Sequence, residues 1–174
     1  MALVYSFPPL FSPNAKVLVL GSMPGVASLQ AQQYYAHPRN AFWPLMSALF
    51  QVPVYAAYEQ RCAASLAAGV ALWDVLAECT REGSLDARIE ASSIVVNDVV
   101  GLLQEAPGIQ CVGCNGATAA RLFQRHIAPR LRVSMSERCA QLRVLHLPST
   151  SPAHAALSFD QKLQAWRALV PPSS

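Results

Sequence analysis

The sequence predicts an α/β fold with three layers, α/β/α, around a central, mainly parallel four-stranded sheet. Two observations lead to this prediction. Short apolar runs of strand length alternate with longer segments in which apolar residues have helical spacing. The 174 residues are 53% hydrophobic and 13% charged, which is enough to bury the core of one domain. We expect a single domain over residues 1–174, with its core at about 14–170 and helices on both sheet faces.

Four short apolar runs are the predicted strands. In chain order they cover residues 16–20, 70–75, 109–113 and 142–147. The first run ends at Gly21, as a buried strand that enters a loop does. The polar stretch 78–93 is expected to be a loop with one helical turn.

The predicted helices lie between these strands and after the last one. They cover residues 42–50, 55–68, 98–105, 115–127 and about 160–169. Gly69 is expected to stop the second helix, and the side chains of Asp98 and Asn115 are expected to cap the third and fourth. The segment from Gly21 to about Asn40 is expected to be a long loop.

The charge is mildly basic and permits an anionic partner without requiring one. The net charge is +3, and only two of the 13 basic residues, Lys16 and Lys162, are lysines. Arginine offers forked donors that suit phosphates, but a GC-rich genome would explain the same excess of arginine. No apolar run reaches about 18 residues, and the amino terminus lacks the features of a signal peptide, so we expect a cytoplasmic protein without a membrane span.

The five cysteines do not form a disulfide pattern. The one close pair, Cys111 and Cys114, stands in a strand-like run, and no second pair follows it at the spacing of a zinc site. We expect buried structural thiols, no metal and no cofactor.

Ligands bind at the carboxyl ends of the strands in parallel sheets of this kind. This rule directs attention to the loops after Leu20, Asp74 and Leu147. The first of these loops begins with the segment GSMPG (21–25) and continues into YYAHPRNAFW (34–43). It combines flexible glycines with aromatic, amide and cationic side chains, a mixture that suits a planar ring next to a phosphate. Two of its residues have ordinary alternatives, since Phe42 could be a core residue and Asn40 a helix cap.

The loop after the last strand reads LPSTSPAH (147–154). Its hydroxyls and backbone amides could grip a phosphate, and its proline or alanine could wedge into a stack of bases. A serine-proline turn alone is weak support, and its weight comes from the expected position beside the first loop.

These two segments, in this order, resemble the two signature motifs of the uracil-DNA glycosylase superfamily. The arrangement is closest to the hypoxanthine-DNA (deoxyinosine) glycosylase branch, called family 6, and the similarity spans about residues 16–169. The resemblance implies a glycosylase of base excision repair that flips a deaminated base, with hypoxanthine as the expected target, out of DNA and hydrolyses its glycosidic bond; we expect it to be monofunctional. Its partner would be DNA that contains a damaged base, and we expect a monomer.

The resemblance also implies a role for each matching position. Asn40 would orient the attacking water and is the predicted catalytic residue. The predicted pocket for the base consists of Gly21, Ser22, Met23, Pro24, Gly25, Tyr35, Phe42 and Asp74. The predicted contacts to DNA are His37, Arg39, Ser149, Thr150, Ser151, Pro152, Ala153 and His154. Asp74 could instead be a structural cap.

Two departures from the superfamily pattern leave alternatives open. Ser22 or Met23 stands where relatives carry a water-activating Asp or Asn, so a DNA-lesion binding protein without activity is one alternative. Leu147 stands where some relatives carry a His or Asn that stabilises the leaving pyrimidine, which favours a purine target. Uracil, xanthine or mismatch specificity and a nucleoside hydrolase are further alternatives. A lyase would need an amine in a motif loop, and neither Lys16 nor Lys162 lies in one.

Overall fold

The computed structural model describes residues 2–173, and within that range seven strands form two sheets. In chain order the strands are β1 (Ala2–Tyr5), β2 (Val17–Gly21), β3 (Val70–Asp74), β4 (Leu76–Arg81), β5 (Val95–Val96), β6 (Cys111–Asn115) and β7 (Arg143–Leu147). The larger sheet has the order β3-β2-β6-β7, and every neighbouring pair in it is parallel. The predicted four-stranded parallel sheet is therefore confirmed.

Helices cover both faces of this sheet. They are α1 (Val26–Ala31), α2 (Phe42–Phe50), α3 (Tyr58–Ala67), α4 (Val99–Glu105), α5 (Ala117–Leu122), α6 (Ala128–Ser134), α7 (Ser136–Gln141) and α8 (Phe159–Trp166). A π-helical turn, Phe123–Ile127, joins α5 to α6, and short 3₁₀ turns cover Asp86–Arg88, Ala91–Ser93 and Arg167–Leu169.

The alternation of side chains along the central strand explains the three layers. Val17 and Val19 of β2 point into one core with α2, α3 and α8, while Leu18 and Leu20 point into the other core with α4 and α5. A strand buried on both faces reads as an uninterrupted apolar run, which is why the sequence revealed it.

The start of α5 corrects one predicted cap. Asn115 is the last residue of β6 and does not cap the helix, which begins only after Gly116. Gly116 has φ of 96°, a conformation that favours glycine. By contrast, the prediction for Asp98 is confirmed, since its carboxylate accepts a hydrogen bond from the Gly101 amide at the start of α4.

The predicted loop over 78–93 is wrong in its first part. Residues 76–81 form β4, which pairs antiparallel with β1 and with β5 in a second, three-stranded sheet. The sequence did not indicate this strand because it is polar. One of its buried side chains, Arg81, is charged and yet only 1% exposed. Helices α1, α6 and α7 were also absent from the prediction.

The cysteines are free thiols, and Cys111 and Cys114 are both buried, as expected. Three positions apart on one strand, they point into the two different cores and so do not face each other. Between residues 2 and 173 the chain holds no helix that is both long and apolar enough to cross a membrane.

Candidate active site

The carboxyl ends of β2, β3 and β6 open into a cavity of about 500 Å³. Gly21 pairs with Asp74 across the sheet, and β6 ends at Asn115 on the other side of β2. The loops that follow β2 and β7 form the remaining walls. This is the edge of the sheet at which the sequence predicted a ligand site.

Most of the predicted site residues line this cavity. They are Gly21, Ser22, Met23, Pro24, Gly25, Tyr35, His37, Asn40, Asp74, Ser149, Thr150, Ser151, Pro152, Ala153 and His154. The sequence interpretation missed other lining residues, among them Tyr34, Ser84, Asp86 and Asn115. Asn115 could have been found by applying the strand-end rule to the third predicted strand. Arg39 lies on the same segment as His37 and Asn40 but is exposed outside the cavity.

Phe42 does not line the cavity and is fully buried, which corrects its predicted place in the base pocket. It opens α2 and stacks against the ring of Tyr35, with 3.9 Å between the ring centroids and 24° between the planes. Tyr35 itself has φ of 55°, a strained conformation for a bulky residue. Phe42 therefore supports the back of Tyr35, while Tyr35 lies in the cavity wall.

Asn40 is held by the backbone around it. Its Oδ1 accepts a hydrogen bond from the Phe42 amide at 3.0 Å, and its own amide donates to the His37 carbonyl. This turn fixes the side chain immediately before α2 and leaves the second lone pair of Oδ1 and the amide Nδ2 as groups that a water could contact. The helix-start role and a role in the cavity are compatible.

Thr150 joins the two motif loops instead of offering its hydroxyl to DNA. It is 1% exposed, its carbonyl accepts from Ala41, and its Oγ1 accepts from Asn115 Nδ2. Asn115 Oδ1 in turn accepts from the Thr150 amide. The predicted contact between the Thr150 side chain and DNA is corrected by this burial, and Asn115 becomes the side chain that positions the second loop.

The rest of the second loop is half-buried or exposed. The hydroxyls of Ser149 and Ser151 accept hydrogen bonds from the amides of Ser151 and Ala153, so each still has its O–H to donate. Lys162 Nζ donates to the His154 carbonyl from α8. The loop is thus shaped from within and keeps donors for an anion.

The GSMPG loop is held by the last residue of β4 and by the chain that follows it, a support that the sequence did not reveal. The Arg81 guanidinium donates to the carbonyls of Met23, Pro24 and Gly83. Ser22 Oγ donates to Asp86 Oδ1 at 2.8 Å, and Ser84 Oγ accepts from the amide at the start of α1. A buried guanidinium with carbonyl partners fixes backbone without supplying a side chain to the cavity.

Two buried oxygens on the cavity wall have no hydrogen-bond partner among the described residues. They are Asp74 Oδ2 and Tyr35 Oη. Asn115 Nδ2 donates one hydrogen to Thr150 Oγ1, and Asn115 also lies beside Tyr35 Oη, where it lowers the pKa of the phenol against the larger effect of burial. Polar atoms buried in this way cost free energy unless something else satisfies them, so both atoms are suited to contact a ligand.

Burial sets the ionisation of this corner. Burial and, to a smaller extent, the nearby Asp86 carboxylate raise the pKa of Asp74 to about 7 against the opposing effect of the Arg81 guanidinium. Burial also raises the pKa of Tyr35, with Asp74 adding to the effect, so the phenol keeps its proton. At neutral pH the corner therefore holds one neutral phenol and one carboxyl that is partly protonated.

Three residues that bear on the predicted chemistry, Leu147, Lys16 and Lys162, lie outside the cavity wall. Leu147 is 5% exposed and packs in the core, where a Cβ added at Gly113 would lie 2.9 Å from it. Lys16 begins the opposite end of β2, and the Lys162 amine is bonded to the backbone of the second loop. Within residues 2–173 no three side chains of His, Cys, Asp or Glu are grouped as a metal site would need.

Comparison with known proteins points to one family. A sequence model of the uracil DNA glycosylase superfamily matches residues 8–170. Two proteins named hypoxanthine DNA glycosylase are each 36% identical to this chain: that of Methanosarcina barkeri over 63% of this chain and 69% of its own length, and that of Methanosarcina acetivorans over 65% and 71%.

A solved structure agrees with the sequence relatives. The solution NMR structure of a candidate uracil DNA glycosylase from Methanosarcina acetivorans superimposes with a TM-score of 0.76 at 29% identity. The match covers 97% of this chain and 99% of that one, so it extends over nearly the whole of both chains.

Proposed function

Since the chain belongs to the uracil DNA glycosylase superfamily, we propose that it is a monofunctional DNA glycosylase that excises hypoxanthine from DNA. The single observation that supports this best is the meeting of the two motif loops around one cavity, with Asn40 on its wall and two unsatisfied oxygens at its base. The relatives named hypoxanthine DNA glycosylase favour hypoxanthine over other deaminated bases.

The cavity suits a flipped base. Its volume of about 500 Å³ is that of a small-molecule site. Tyr35, whose ring is backed by Phe42, is a rigid part of the cavity wall against which a base would be placed. Flipping costs least for a base that is damaged or mispaired, and this difference itself contributes to selectivity.

Asn40 would act on the water. As the glycosidic bond breaks, positive charge grows on the sugar and negative charge on the base, so a weak nucleophile in the right place is sufficient. An amide is a poor base, but it can orient a water through Oδ1 and Nδ2, and its contribution is positioning. The turn that fixes its Oδ1 provides the rigidity which positioning requires.

The half-buried and exposed polar residues near the cavity mouth would bind the DNA backbone. His37 and Arg39 lie on one side, and Ser149, Ser151 and His154 on the other. Hydroxyl, amide and cationic donors are the usual partners of phosphate oxygens. Pro152 and Ala153 lie on the loop that would enter the space left by the flipped nucleotide.

Neither lysine is placed for lyase chemistry. The Lys162 amine, whose pKa burial lowers, donates to the His154 carbonyl, and Lys16 lies at the far end of the sheet. An amine that attacked the sugar would have to be free inside the cavity. The product would therefore be an abasic site in an unbroken strand.

The test is base release from oligonucleotides that carry inosine, uracil or xanthine, in single and double strands. We expect hypoxanthine release by the wild type and strand breakage only after alkali. Asn40→Ala should lower the single-turnover rate by about 10²- to 10³-fold with DNA binding retained. Asn14→Ala, the same change in an exposed turn before β2, is the matched control and should keep the wild-type rate.

Each alternative has its own result in this assay. Lesion binding without release of any base, by wild type and Asn40→Ala alike, would show an inactive binding protein, which Met23 in the usual catalytic place favours. Preferred release of uracil or xanthine would change the substrate but keep the class. Release from free deoxyinosine at the rate seen with DNA would show a nucleoside hydrolase.

A further inference from the structure

The bottom of the cavity contains a buried acid, Asp74. This residue has no part in the orientation of water proposed for Asn40. Asp74 ends β3, is 4% exposed, and has one oxygen without a partner among the described residues. The unsatisfied Tyr35 Oη lines the same cavity. Leaving a carboxylate buried and unpaired costs several kcal/mol, so this arrangement needs either a proton or a ligand to stabilise it.

Gly21 lies beside both groups: Asp74 Oδ1, on the same carboxyl as the unpartnered Oδ2, and Tyr35 Oη both face it. A Cβ added at Gly21 would lie 2.5 Å from Asp74 Oδ1 and 3.4 Å from Tyr35 Oη. Only a glycine leaves the space in which the carboxyl and the phenol converge beside the strand end. Both groups are also fixed, Asp74 by the pairing of β3 with β2 and Tyr35 by its stack on Phe42.

The charged and titratable groups around Asp74 come from several elements. Arg81 lies on β4, Asp86 on the turn after it, and Tyr34 and Tyr35 on the loop before α2. His37 and His154 lie on the walls of the same cavity. Burial and the Asp86 carboxylate together outweigh Arg81 and raise the pKa of Asp74 to about 7, so the carboxyl keeps its proton in slightly acidic to neutral solution.

We propose that Asp74 reads the flipped base as a neutral carboxylic acid, donating a hydrogen bond, together with Tyr35 Oη, to the carbonyl oxygen at C6 of hypoxanthine. Two O–H donors that converge on one point match a carbonyl oxygen, which has two lone pairs. They match poorly with the amino group that adenine carries at the same position. Asp74 and Tyr35 are in this way specificity-determining residues for deaminated bases.

The same contact would assist the reaction. The electrons of the glycosidic bond move onto the base as it leaves, and part of that charge reaches the carbonyl oxygen. A hydrogen bond from a neutral acid then strengthens in the transition state, which is what accelerates a reaction. In this chain Asp74 would supply, from the end of β3, the stabilisation that the buried Leu147 cannot give. The inference rests on the proposed excision of hypoxanthine.

The test is the pH dependence of hypoxanthine excision between pH 5.5 and 9, in single turnovers with saturating enzyme. The wild-type rate should fall above about pH 7, towards tenfold for each further pH unit, because the ionised carboxylate has no proton to donate. Asp74→Asn keeps an N–H donor that does not titrate. Its rate should stay level above pH 7 and exceed the wild-type rate at pH 9. Asp74→Leu should lose about a hundredfold or more at every pH.

Several results would overturn the proposal. If the excision rate of Asp74→Asn falls at alkaline pH as the wild-type rate does, the titrating group lies elsewhere. The same conclusion follows if the fall disappears in His37→Gln or His154→Gln. An Asp74→Asn variant as slow as Asp74→Leu, with both folded by circular dichroism, would show that the carboxylate form is needed. Tyr35→Phe should narrow the preference for inosine over adenosine by about tenfold, and an unchanged preference would remove Tyr35 from the recognition.

A second measurement does not depend on activity. In the ¹³C NMR titration of the free protein, one carboxyl resonance should have its midpoint near pH 7 and be missing in Asp74→Asn. An Asp74 carboxyl that is already ionised at pH 5.5 would contradict the proposal even if hypoxanthine is released. Absence of hypoxanthine release with this titration present would instead refute the proposed function alone.

Discussion

The cavity has a floor, formed by Gly21, Tyr35 and Asp74, and a rim, formed by residues 37–40 and 149–154, and the two satisfy their polar atoms in different ways. On the rim, Asn40, Ser149 and Ser151 each accept a hydrogen bond from their own loop. On the floor, Tyr35 Oη and Asp74 Oδ2 have none from the described residues.

This difference separates two tasks. The rim is shaped by local turns, which any sequence rich in serine, asparagine and proline forms at little cost. The floor is held by the parallel sheet and by the stack on Phe42, and it leaves two polar atoms on the cavity wall without a partner among the described residues. Changes to the floor should therefore alter chemistry and stability, and changes to rim residues other than the water-orienting Asn40 should alter DNA binding.

The largest effect is expected on the stability of the floor. Ionisation of Asp74 is disfavoured in the fold, where its pKa is about 7, and is easy in the unfolded chain, where it is near 4. The folded state thus binds the proton more tightly, and this contribution to stability is lost as pH rises from about 4 to 7. At pH 8, Asp74→Asn should raise the free energy of unfolding by on the order of 4 kcal/mol.

The measurement is urea unfolding of both proteins at pH 4 and pH 8. The gain should shrink towards zero at pH 4, where Asp74 is neutral in the folded and unfolded chain alike. An equal gain at both pH values would mean that the carboxyl is not the source. Asp98→Asn, at an exposed helix cap with a normal hydrogen bond, is a control that should show no such gain at pH 8.

The next effect concerns the geometry of the floor. Gly21→Ala places a methyl group 2.5 Å from Asp74 Oδ1, so the carboxyl must move. Misplacement of a contact group by about 1 Å costs about a hundredfold in rate, and we expect that loss in single-turnover excision with DNA binding within about twofold. Gly25→Ala is the comparison, because its new Cβ meets only the Ser84 side chain, whose hydroxyl is 3.3 Å away. A loss at Gly25→Ala as large as that at Gly21→Ala would contradict the special position of Gly21.

The sequence predicted the parallel sheet because its strands are buried on both faces and read as apolar runs. The rule that ligands bind at the carboxyl ends of parallel strands then placed Gly21 and Asp74 at one edge of the sheet. Helix α2 was predicted with its observed bounds, since its apolar residues have helical spacing.

The sequence did not predict the second sheet, because β1 is exposed and β4 is polar. The buried Arg81 guanidinium donates hydrogen bonds to the carbonyls of three other residues. Two of these residues are far from Arg81 in the sequence, so no local pattern shows the contacts. For the same reason the sequence could place Phe42 and Thr150 near the site but not decide which way their side chains point. Orientation depends on contacts with Tyr35 and Asn115, which only the folded chain brings together.

The smallest effect is expected on the rim, at the exposed Arg39. A single cation that contacts one phosphate contributes about 1 kcal/mol and releases about one counterion on binding. Arg39→Gln should therefore weaken binding of inosine-containing duplex about fivefold at 100 mM salt and reduce the slope of log K against log salt by about 0.9. The single-turnover rate at saturating enzyme should stay within about twofold. Arg167→Gln is the control. Arg167 is exposed, and its neighbour Ala168 accepts a hydrogen bond from Arg143 at the amino end of β7. This variant should change neither the affinity for DNA nor the salt slope. An Arg39→Gln variant that lost excision rate while keeping its salt slope would mean that Arg39 acts on the base and not on a phosphate. The separation between residues that recognise the base and residues that bind the DNA backbone would then fail.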